Sequence, residues 1–520
     1  MEGTRSPAVT GGGPRWTWIR LALGPAAFVA ILALPEPAGL SPEAWRVAAV
    51  AAFMVLWWVT EAIPIPATAL LPLVLLPALG VADLEGAAAP YANPIVFLFL
   101  GGFLIAQAMQ RWQLHRRLAL LVIRQTGTRP GPLIAGFMAA AAILSMWVSN
   151  TATAVMMLPI GLSVIQRVQG DTALDGAPPA SSNFGVALLL GIAYACSIGG
   201  LGTLIGSPPN ALLAGFASER YGIEVGFGAW MMLGVPLVVV GLPLAWLLLT
   251  RWLYPVHADG ALLDGSEPIE ADLRAMGPLT RGELIVACVF GITAIAWITR
   301  PLLSAWIPGL SDAGIAITAA VLLFVIPVDA RRGVFALDWD WARRLPWHVL
   351  LLFGGGLSLA AAISRSGLAE WIGQALSGLD ALPAPVVVAL LSLAIIILTE
   401  LASNTATAAA FLPIAASMAT GMGLNPLVLM VPVAVAASCA FMLPIATPPN
   451  AVVYGSGQLT IPQMARAGLA LNILFVGLLS TLGYLLVELV FGACRGGQAG
   501  SCLPDRGSLP DPLAVADQRE

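Results

Sequence analysis

Apolar stretches long enough to cross a bilayer recur along almost the whole chain, separated by short polar or charged segments. They fall near residues 16–34, 44–61, 64–81, 94–110, 184–218, 228–250, 282–300, 313–328, 347–366, 426–457 and 467–491. At roughly 20 residues per crossing, this predicts an all-α polytopic membrane protein with about eleven transmembrane helices. Two further apolar stretches, 132–165 and 384–420, carry a polar triplet near the middle, Ser149-Asn150-Thr151 and Ser403-Asn404-Thr405. Each triplet continues as Ala-Thr-Ala and is followed by Leu-Pro-Ile, with Pro159 or Pro413 at its centre. A polar break halfway along a segment too short for two spans predicts a re-entrant helical hairpin, tolerated where backbone lines a protein-walled cavity.

The duplication is broader than the triplet. Phe99-Leu100-Gly101-Gly102 matches Leu352-Phe353-Gly354-Gly355, and Gly206-Ser207-Pro208-Pro209-Asn210 matches Ala446-Thr447-Pro448-Pro449-Asn450. Each half reads as three helices, a hairpin, a helix broken at Pro-Pro-Asn and a last helix. Five crossings is an odd number, so the second copy enters from the opposite face. Inverted repeats meeting at the bilayer midplane are a recurrent architecture of secondary transporters. The expected organisation is a cytoplasmic tail (1–15), a first transmembrane helix and linker (16–43), a first repeat (44–250), a cytoplasmic linker (251–281), an inverted second repeat (282–491) and a polar C-terminal tail (492–520).

Composition agrees with the pattern. With 58% hydrophobic and 10% charged residues and a mean hydropathy of +0.88, the apolar surface exceeds what a soluble core could hide. Charge position then tests the topology. All the basic residues are Arg, and with a cytoplasmic N-terminus every one falls inside except Arg46, Arg220, Arg300, Arg365, Arg495, Arg506 and Arg519, as the positive-inside rule requires. A shift by one crossing would export the dense cluster from Arg111 to Arg129. The first apolar run follows Arg15 and Arg20 and lacks a good small-x-small cleavage site, so it reads as a spanning helix rather than a signal peptide. Cys196, Cys288 and Cys439 lie inside apolar runs and read as packing residues. Cys494 and Cys502 lie in the polar tail, where a disulfide and two free thiols both fit.

The polar islands carry the chemistry. Ser145 lies four residues before the first triplet and Thr399 four before the second, so one helical turn brings another hydroxyl under each tip. Hydroxyl, carboxamide and backbone oxygens freed at Gly206 and Ala446 make one plausible alkali-cation pocket per half. Isolated Ser, Thr and Asn more often join membrane helices; the duplication favours the binding role. Asn210 and Asn450 are assigned support roles as caps of the resuming helices. No Arg or His lies inside the hairpins or broken helices, so a bound anion needs half-helix N-termini, side-chain dipoles and co-bound cations. Glu400, beside Thr399, is either a functional carboxylate or a hydrogen-bonded structural group. Glu61 reads as structural, and His115 as facing cytoplasmic water. The hairpins hold no Ser/His dyad or paired Asp, which argues against an enzyme.

These residues resemble the divalent anion/sodium symporter family. The resemblance rests on both Ser-Asn-Thr-Ala-Thr motifs, Thr60-Glu61-Ala62-Ile63-Pro64, Phe97-Leu98-Phe99-Leu100-Gly101-Gly102 and the two Pro-Pro-Asn breaks, and spans about residues 16–490. It implies a homodimer whose protomers have a scaffold domain and a transport domain that moves like an elevator. One co-transported sodium ion would be held by Ser145, Ser149, Asn150 and Gly206, and another by Thr399, Ala402, Asn404 and Ala446. Substrate carboxylates would contact Asn150, Thr151, Ser207, Pro208, Asn404, Thr405, Thr447 and Pro448. The family carries C4-dicarboxylates such as succinate, malate and fumarate, with citrate or sulfate in some members, and it includes sodium-independent exchangers. The expectation is a sodium-coupled dicarboxylate importer of a bacterial inner membrane, N-terminus cytoplasmic and C-terminus periplasmic. Its partners would be sodium, small dicarboxylates, lipid and a second copy of itself, with no nucleic acid; exchange, or sulfate or citrate transport, is the alternative.

Overall fold

The computed structural model describes residues 14–127, 129–170, 183–256, 267–375 and 382–492. Helix α1 (Pro14–Ala33) packs along α2 (Pro42–Thr60), which is capped by Ser41 and ends where Glu61 turns left-handed at φ 46°. The stretch expected as one crossing over 64–81 is instead two short helices, α3 (Ile65–Thr68) and α4 (Leu71–Ala78). Pro64, Pro66, Pro72 and Pro77 remove backbone donors that a continuous helix needs. The freed Ala69 carbonyl accepts from the Tyr91 hydroxyl. Next come α5 (Leu84–Ala88), α6 (Pro94–Arg111) and the amphipathic α7 (Leu114–Arg124).

The first hairpin is α8 (Pro130–Ser145) and α9 (Asn150–Gly170). The first broken helix consists of α10 (Asn183–Gly199) and α11 (Pro208–Tyr221), and α12 (Phe227–Leu247) closes this half. Through α13 (Glu267–Met276) the chain reaches α14 (Arg281–Leu303) and α15 (Asp312–Val325). A small antiparallel pair, β1 (Pro327–Asp329) and β2 (Val334–Phe335), precedes α16 (Trp339–Ala342), α17 (Trp347–Arg365) and α18 (Leu368–Ala375). The second hairpin is α19 (Ala384–Thr399) and α20 (Asn404–Gly421), the second broken helix α21 (Leu427–Ala437) and α22 (Pro448–Tyr454). Helices α23 (Ile461–Leu478) and α24 (Tyr484–Phe491) join through a π turn.

Among the described residues, six helical stretches are long and apolar enough to cross a membrane alone: Pro42–Thr60, Leu84–Arg111, Phe227–Leu253, Arg281–Leu303, Trp347–Arg365 and Ile461–Phe491. Three of the four hairpin arms and the longer pieces of the broken helices are apolar but only 10–17 residues by the same measure, because the breaks divide them. They pack on one another and on the other half's broken helix, so that backbone polar groups at the breaks find partners within protein.

The two halves interlock reciprocally. Gly101 of α6 lies against the Ala316 backbone of α15, and Gly355 of α17 lies against Ala69 between α3 and α4, where any Cβ would clash. Phe99 and Phe353 meet edge to face with centroids 4.8 Å apart. Helix α11 packs on α20 and α21, while α22 packs on α9 and α10, so each half's resuming helix lies in the other half's hairpin and broken helix.

Three local expectations change. Cys288 faces outward on α14, whereas Cys196 and Cys439 are buried as expected; Cys494 and Cys502 lie outside the described residues. His115 is half-buried, its Nδ1 3.1 Å from the Met109 carbonyl, because α7 folds back on the end of α6. Asn210 and Asn450 do not cap, since the cap positions belong to Ser207 and Thr447.

Candidate functional site

Each hairpin turns within four residues, 146–149 and 400–403, and in each the last residue of the first arm meets the first residue of the second. Ser145 Oγ lies 2.5 Å from Asn150 Oδ1, and Thr399 Oγ1 donates to Asn404 Oδ1 at 2.7 Å. The same bond occurs in both halves because the hydroxyl stands five residues before the Asn, across a turn that closes in the same way. Ser145 and Thr399 are fully buried, whereas Ser149 and Thr151 are exposed at the first tip; Thr405 is buried at the second. Ser149 Oγ accepts from the Ala152 amide at 3.2 Å, as an N-terminal cap of α9.

The breaks come to these tips. Asn150 Oδ1 stands 3.3 Å from the Gly206 carbonyl oxygen and 3.3 Å from that of Cys196, in addition to Ser145 Oγ. Four oxygens therefore crowd a common point. Turning the amide over puts Nδ2 at that point, a donor within reach of the other three oxygens. Glycine is required here: a Cβ on Gly200 would meet the Gly206 carbonyl at 2.9 Å and Asn150 Oδ1 at 3.0 Å. In the second half the Ala437 carbonyl also stands 2.8 Å from Thr399 Oγ1, sharing its single proton with Asn404 Oδ1. Cys196 lies in the last turn of α10 and Ala437 ends α21, so half-helix C-termini, negative ends of their dipoles, point at the pockets. Ala402 and Ala446 are buried at the second tip and break. Among the described residues no group of three His, Cys, Asp or Glu side chains stands together.

The two breaks touch. Ser207 Oγ, at the start of α11, is 2.7 Å from Ser438 Oγ, just after α21, and both are buried. Ser207 and Pro208 lead the 14-residue α11, Asn150 and Thr151 lead α9, and Asn404 and Thr405 lead α20; Asn150 reaches the Gly206 carbonyl next to Ser207, and Asn404 meets Thr399 Oγ1 together with the Ala437 carbonyl next to Ser438. Thr447 and Pro448 lead the short α22, where Thr447 Oγ1 accepts from the Asn450 amide. N-terminal amides and hydroxyls favour anions.

Each break is held by its own asparagine. Asn210 Nδ2 donates to the carbonyls of Gly200 at 3.0 Å and Thr203 at 2.9 Å, and Asn450 Nδ2 to those of Ala440 at 3.3 Å and Leu443 at 3.0 Å. The Glu400 carboxylate accepts from the amides of Phe441, Met442 and Leu443 at 2.8–3.1 Å and from Asn472 Nδ2 at 2.8 Å. The carbonyls of Cys196 and Ala437 were not foreseeable from side-chain identity, since any residue at a helix end presents one.

Paired hairpins and paired broken helices packed reciprocally define a helical membrane transporter. The family profile described as "Sodium:sulfate symporter transmembrane region" matches residues 15–492, and the chain belongs to this divalent anion/sodium symporter family. A "Sodium-dependent dicarboxylate transporter SdcS" of Staphylococcus saprophyticus is 44% identical over 478 residues, covering 91% of this chain and 92% of its own. A relative of the same name from Staphylococcus aureus is 42% identical over the same shares. Among solved structures, the Alcanivorax borkumensis YdaH transporter matches with TM-score 0.51 at 16% identity, covering 92% of this chain and 97% of its own. Neisseria gonorrhoeae MtrF matches at 0.52 and 12%, covering 92% and 95%. At those identities the likeness concerns the fold.

Proposed function

We propose that the protein is a secondary active symporter that imports C4-dicarboxylates such as succinate, malate and fumarate together with sodium across a bacterial inner membrane. The observation that carries this reading is the convergence of the Asn150 carboxamide, Ser145 Oγ and the Gly206 and Cys196 carbonyls at one point, with a matching hydroxyl and amide in the second half. Hydroxyl, carboxamide and carbonyl groups gathered in this way offer the oxygen ligands a hard cation takes. No Arg, Lys or His enters the tips or breaks, so a dianion at the helix N-termini is balanced by those dipoles and by the sodium ions beneath. The dependence of uptake on sodium follows from that balance. The names of the relatives at 44% and 42% identity support both cargoes.

In this reading one sodium binds at Ser145, Ser149, Asn150 and Gly206 and another at Thr399, Ala402, Asn404 and Ala446. The carboxylates are held by Asn150, Thr151, Ser207 and Pro208 from one half, and by Asn404, Thr405, Thr447 and Pro448 from the other. The two tips are re-entrant from opposite leaflets, about eleven helices cross the bilayer, and a homodimer carries the site by an elevator motion, N-terminus inside and C-terminus outside. If more than two sodium ions accompany the dianion, the membrane potential assists by about 2.3 kcal/mol per net charge per 100 mV.

The test is succinate uptake into empty and succinate-preloaded proteoliposomes, each with and without an inward sodium gradient. Symport predicts uptake into empty vesicles only with the gradient. Uptake that needs preloading and ignores sodium identifies an exchanger instead. Because the matching profile is described by sulfate, competition by sulfate against succinate ranks the two anions.

A further inference from the structure

We propose that Ser438 is a positioning residue for the substrate: its hydroxyl turns the proton of the Ser207 hydroxyl toward the bound carboxylate. The inference rests on the reading above, in which Ser207 is a substrate contact, and deepens it. Ser207 and Thr447 hold matching places, each the last residue before a resuming helix that opens with Pro-Pro-Asn. Their backbones agree, with φ and ψ of -141° and 135° for Ser207 and -139° and 149° for Thr447. Their side chains part. Thr447 Oγ1 accepts from the Asn450 amide at 3.4 Å and so caps its own helix, α22. Ser207 Oγ makes no cap bond to α11 and lies instead 2.7 Å from Ser438 Oγ, across the contact between the two breaks. The register that pairs Asn210 with Asn450 and Gly200 with Ala440 pairs Ser438 with Ile198, a fully buried residue whose side chain has no polar atom. The hydroxyl that Ser207 reaches therefore has no counterpart in the first half.

Proton accounting gives this contact its direction. Each hydroxyl has a single proton. Ser438 Oγ has two acceptors in reach, Ser207 Oγ at 2.7 Å and the Ala434 carbonyl at 3.5 Å, the second well beyond the usual length of an O–H···O bond. A carboxylate only accepts. Pro208 and Pro209 carry no amide hydrogen, so the first two positions of α11 give an anion no backbone donor, and the Ser207 hydroxyl is the side-chain donor at this helix end. When Ser207 donates to the carboxylate, Ser438 donates to Ser207 and gives up only the long approach to Ala434. The two O–H groups then form one chain that ends on the anion, and each bond polarises the next. Both hydroxyls are buried, which shields the chain from water. Without the Ser438 hydroxyl, Ser207 Oγ is free to turn onto the Asn210 amide, as Thr447 turns onto that of Asn450.

The experiment measures initial rates of sodium-driven succinate uptake in proteoliposomes. At saturating sodium, Ser438→Ala is expected to raise the succinate KM about fivefold to tenfold while Vmax stays within about twofold of wild type. Ser438→Thr keeps the hydroxyl and should recover most of the loss. Because Ser438 acts through Ser207, removing it should add nothing once that hydroxyl is gone. The double variant Ser207→Ala/Ser438→Ala should therefore match Ser207→Ala in KM to within about twofold. A merely structural role predicts otherwise: a lower Vmax and melting temperature with KM unchanged, or a double variant worse than Ser207→Ala by the full effect of Ser438→Ala. Either result overturns the proposal.

Should Ser438→Ala fail to fold, Ser438→Cys carries the same test, because a thiol nearly keeps the volume and is a weak donor. A raised succinate KM supports the proposal there too, and an unchanged one overturns it. The two readings fail separately. A wild-type protein without sodium-dependent succinate uptake, or a folded Ser207→Ala variant with a wild-type succinate KM, overturns the site proposed above and this inference with it. A raised KM in Ser207→Ala beside a wild-type KM in Ser438→Ala overturns this inference alone.

Discussion

Asn210 and Asn450 make the same two hydrogen bonds, each donating from Nδ2 to the carbonyls ten and seven residues earlier in its own half. That shared pattern shows the breaks to be one device built twice. Both side chains are fully buried, and truncation takes the donor from two backbone carbonyls in each break. Asn210→Ala and Asn450→Ala are each expected to cost about 2 to 4 kcal/mol. The two variants should show similar drops in melting temperature, together with loss of uptake.

Small side chains at the breaks are not interchangeable. A Cβ on Gly206 would lie 2.6 Å from the Gly200 carbonyl oxygen and 3.0 Å from its Cα, while the second half already has Ala440 and Ala446 at the matching places. Gly206→Ala should raise the sodium requirement of uptake or abolish transport, and Ala446→Gly should leave uptake within about twofold of wild type. Equal effects of the two substitutions in sodium activation curves would refute the difference.

Away from the site, Arg117 clamps α7 to the start of α14. Its Nε donates to Glu283 Oε1 at 2.6 Å and its Nη1 to the Gly277 carbonyl at 3.1 Å, and the Glu283 side chain is 2% exposed. Arg117→Ala strands that carboxylate and should cost about 3 kcal/mol or more. Adding Glu283→Gln should recover part of the loss. A double-mutant cycle by thermal melting measures the coupling.

The His115 imidazole is pushed below its ordinary value, first by burial, with the Met109 carbonyl opposing and Arg116 adding to the fall. A histidine whose folded value is depressed contributes stability above its unfolded value of about 6.5 and loses it as the pH falls and the unfolded chain takes up the proton first. Wild type should therefore lose more melting temperature between pH 7 and pH 5 than His115→Gln. Parallel pH curves would contradict this.

Much of the fold was legible because a polar triplet or a Pro-Pro-Asn in a long apolar run stands out, and because each occurs twice. The hydroxyls of Ser145 and Thr399 were reachable by helical spacing, and the structure brings each to its asparagine. Backbone carbonyls were not: Cys196 and Ala437 contribute through position at a helix end, and neither side chain signals it. The split of 64–81 into α3 and α4 was hidden by hydropathy, which does not register that four prolines remove the helix donors. The role of Asn210 was misread as capping because its bonds run backward to Gly200 and Thr203 across a loop whose path the sequence pattern does not specify. The sequence leaves Glu400 open between two roles, and it does not reveal that the amides of residues 441–443 converge on its carboxylate.

The most direct test of a site shared by the two tips is sodium-driven succinate uptake by Asn150→Ala and Asn404→Ala in proteoliposomes, with folding checked by gel filtration and melting. Each asparagine belongs both to a cation pocket and to the substrate site, so either single change is expected to abolish uptake in a folded protein. Wild-type-like uptake in both variants would contradict the account.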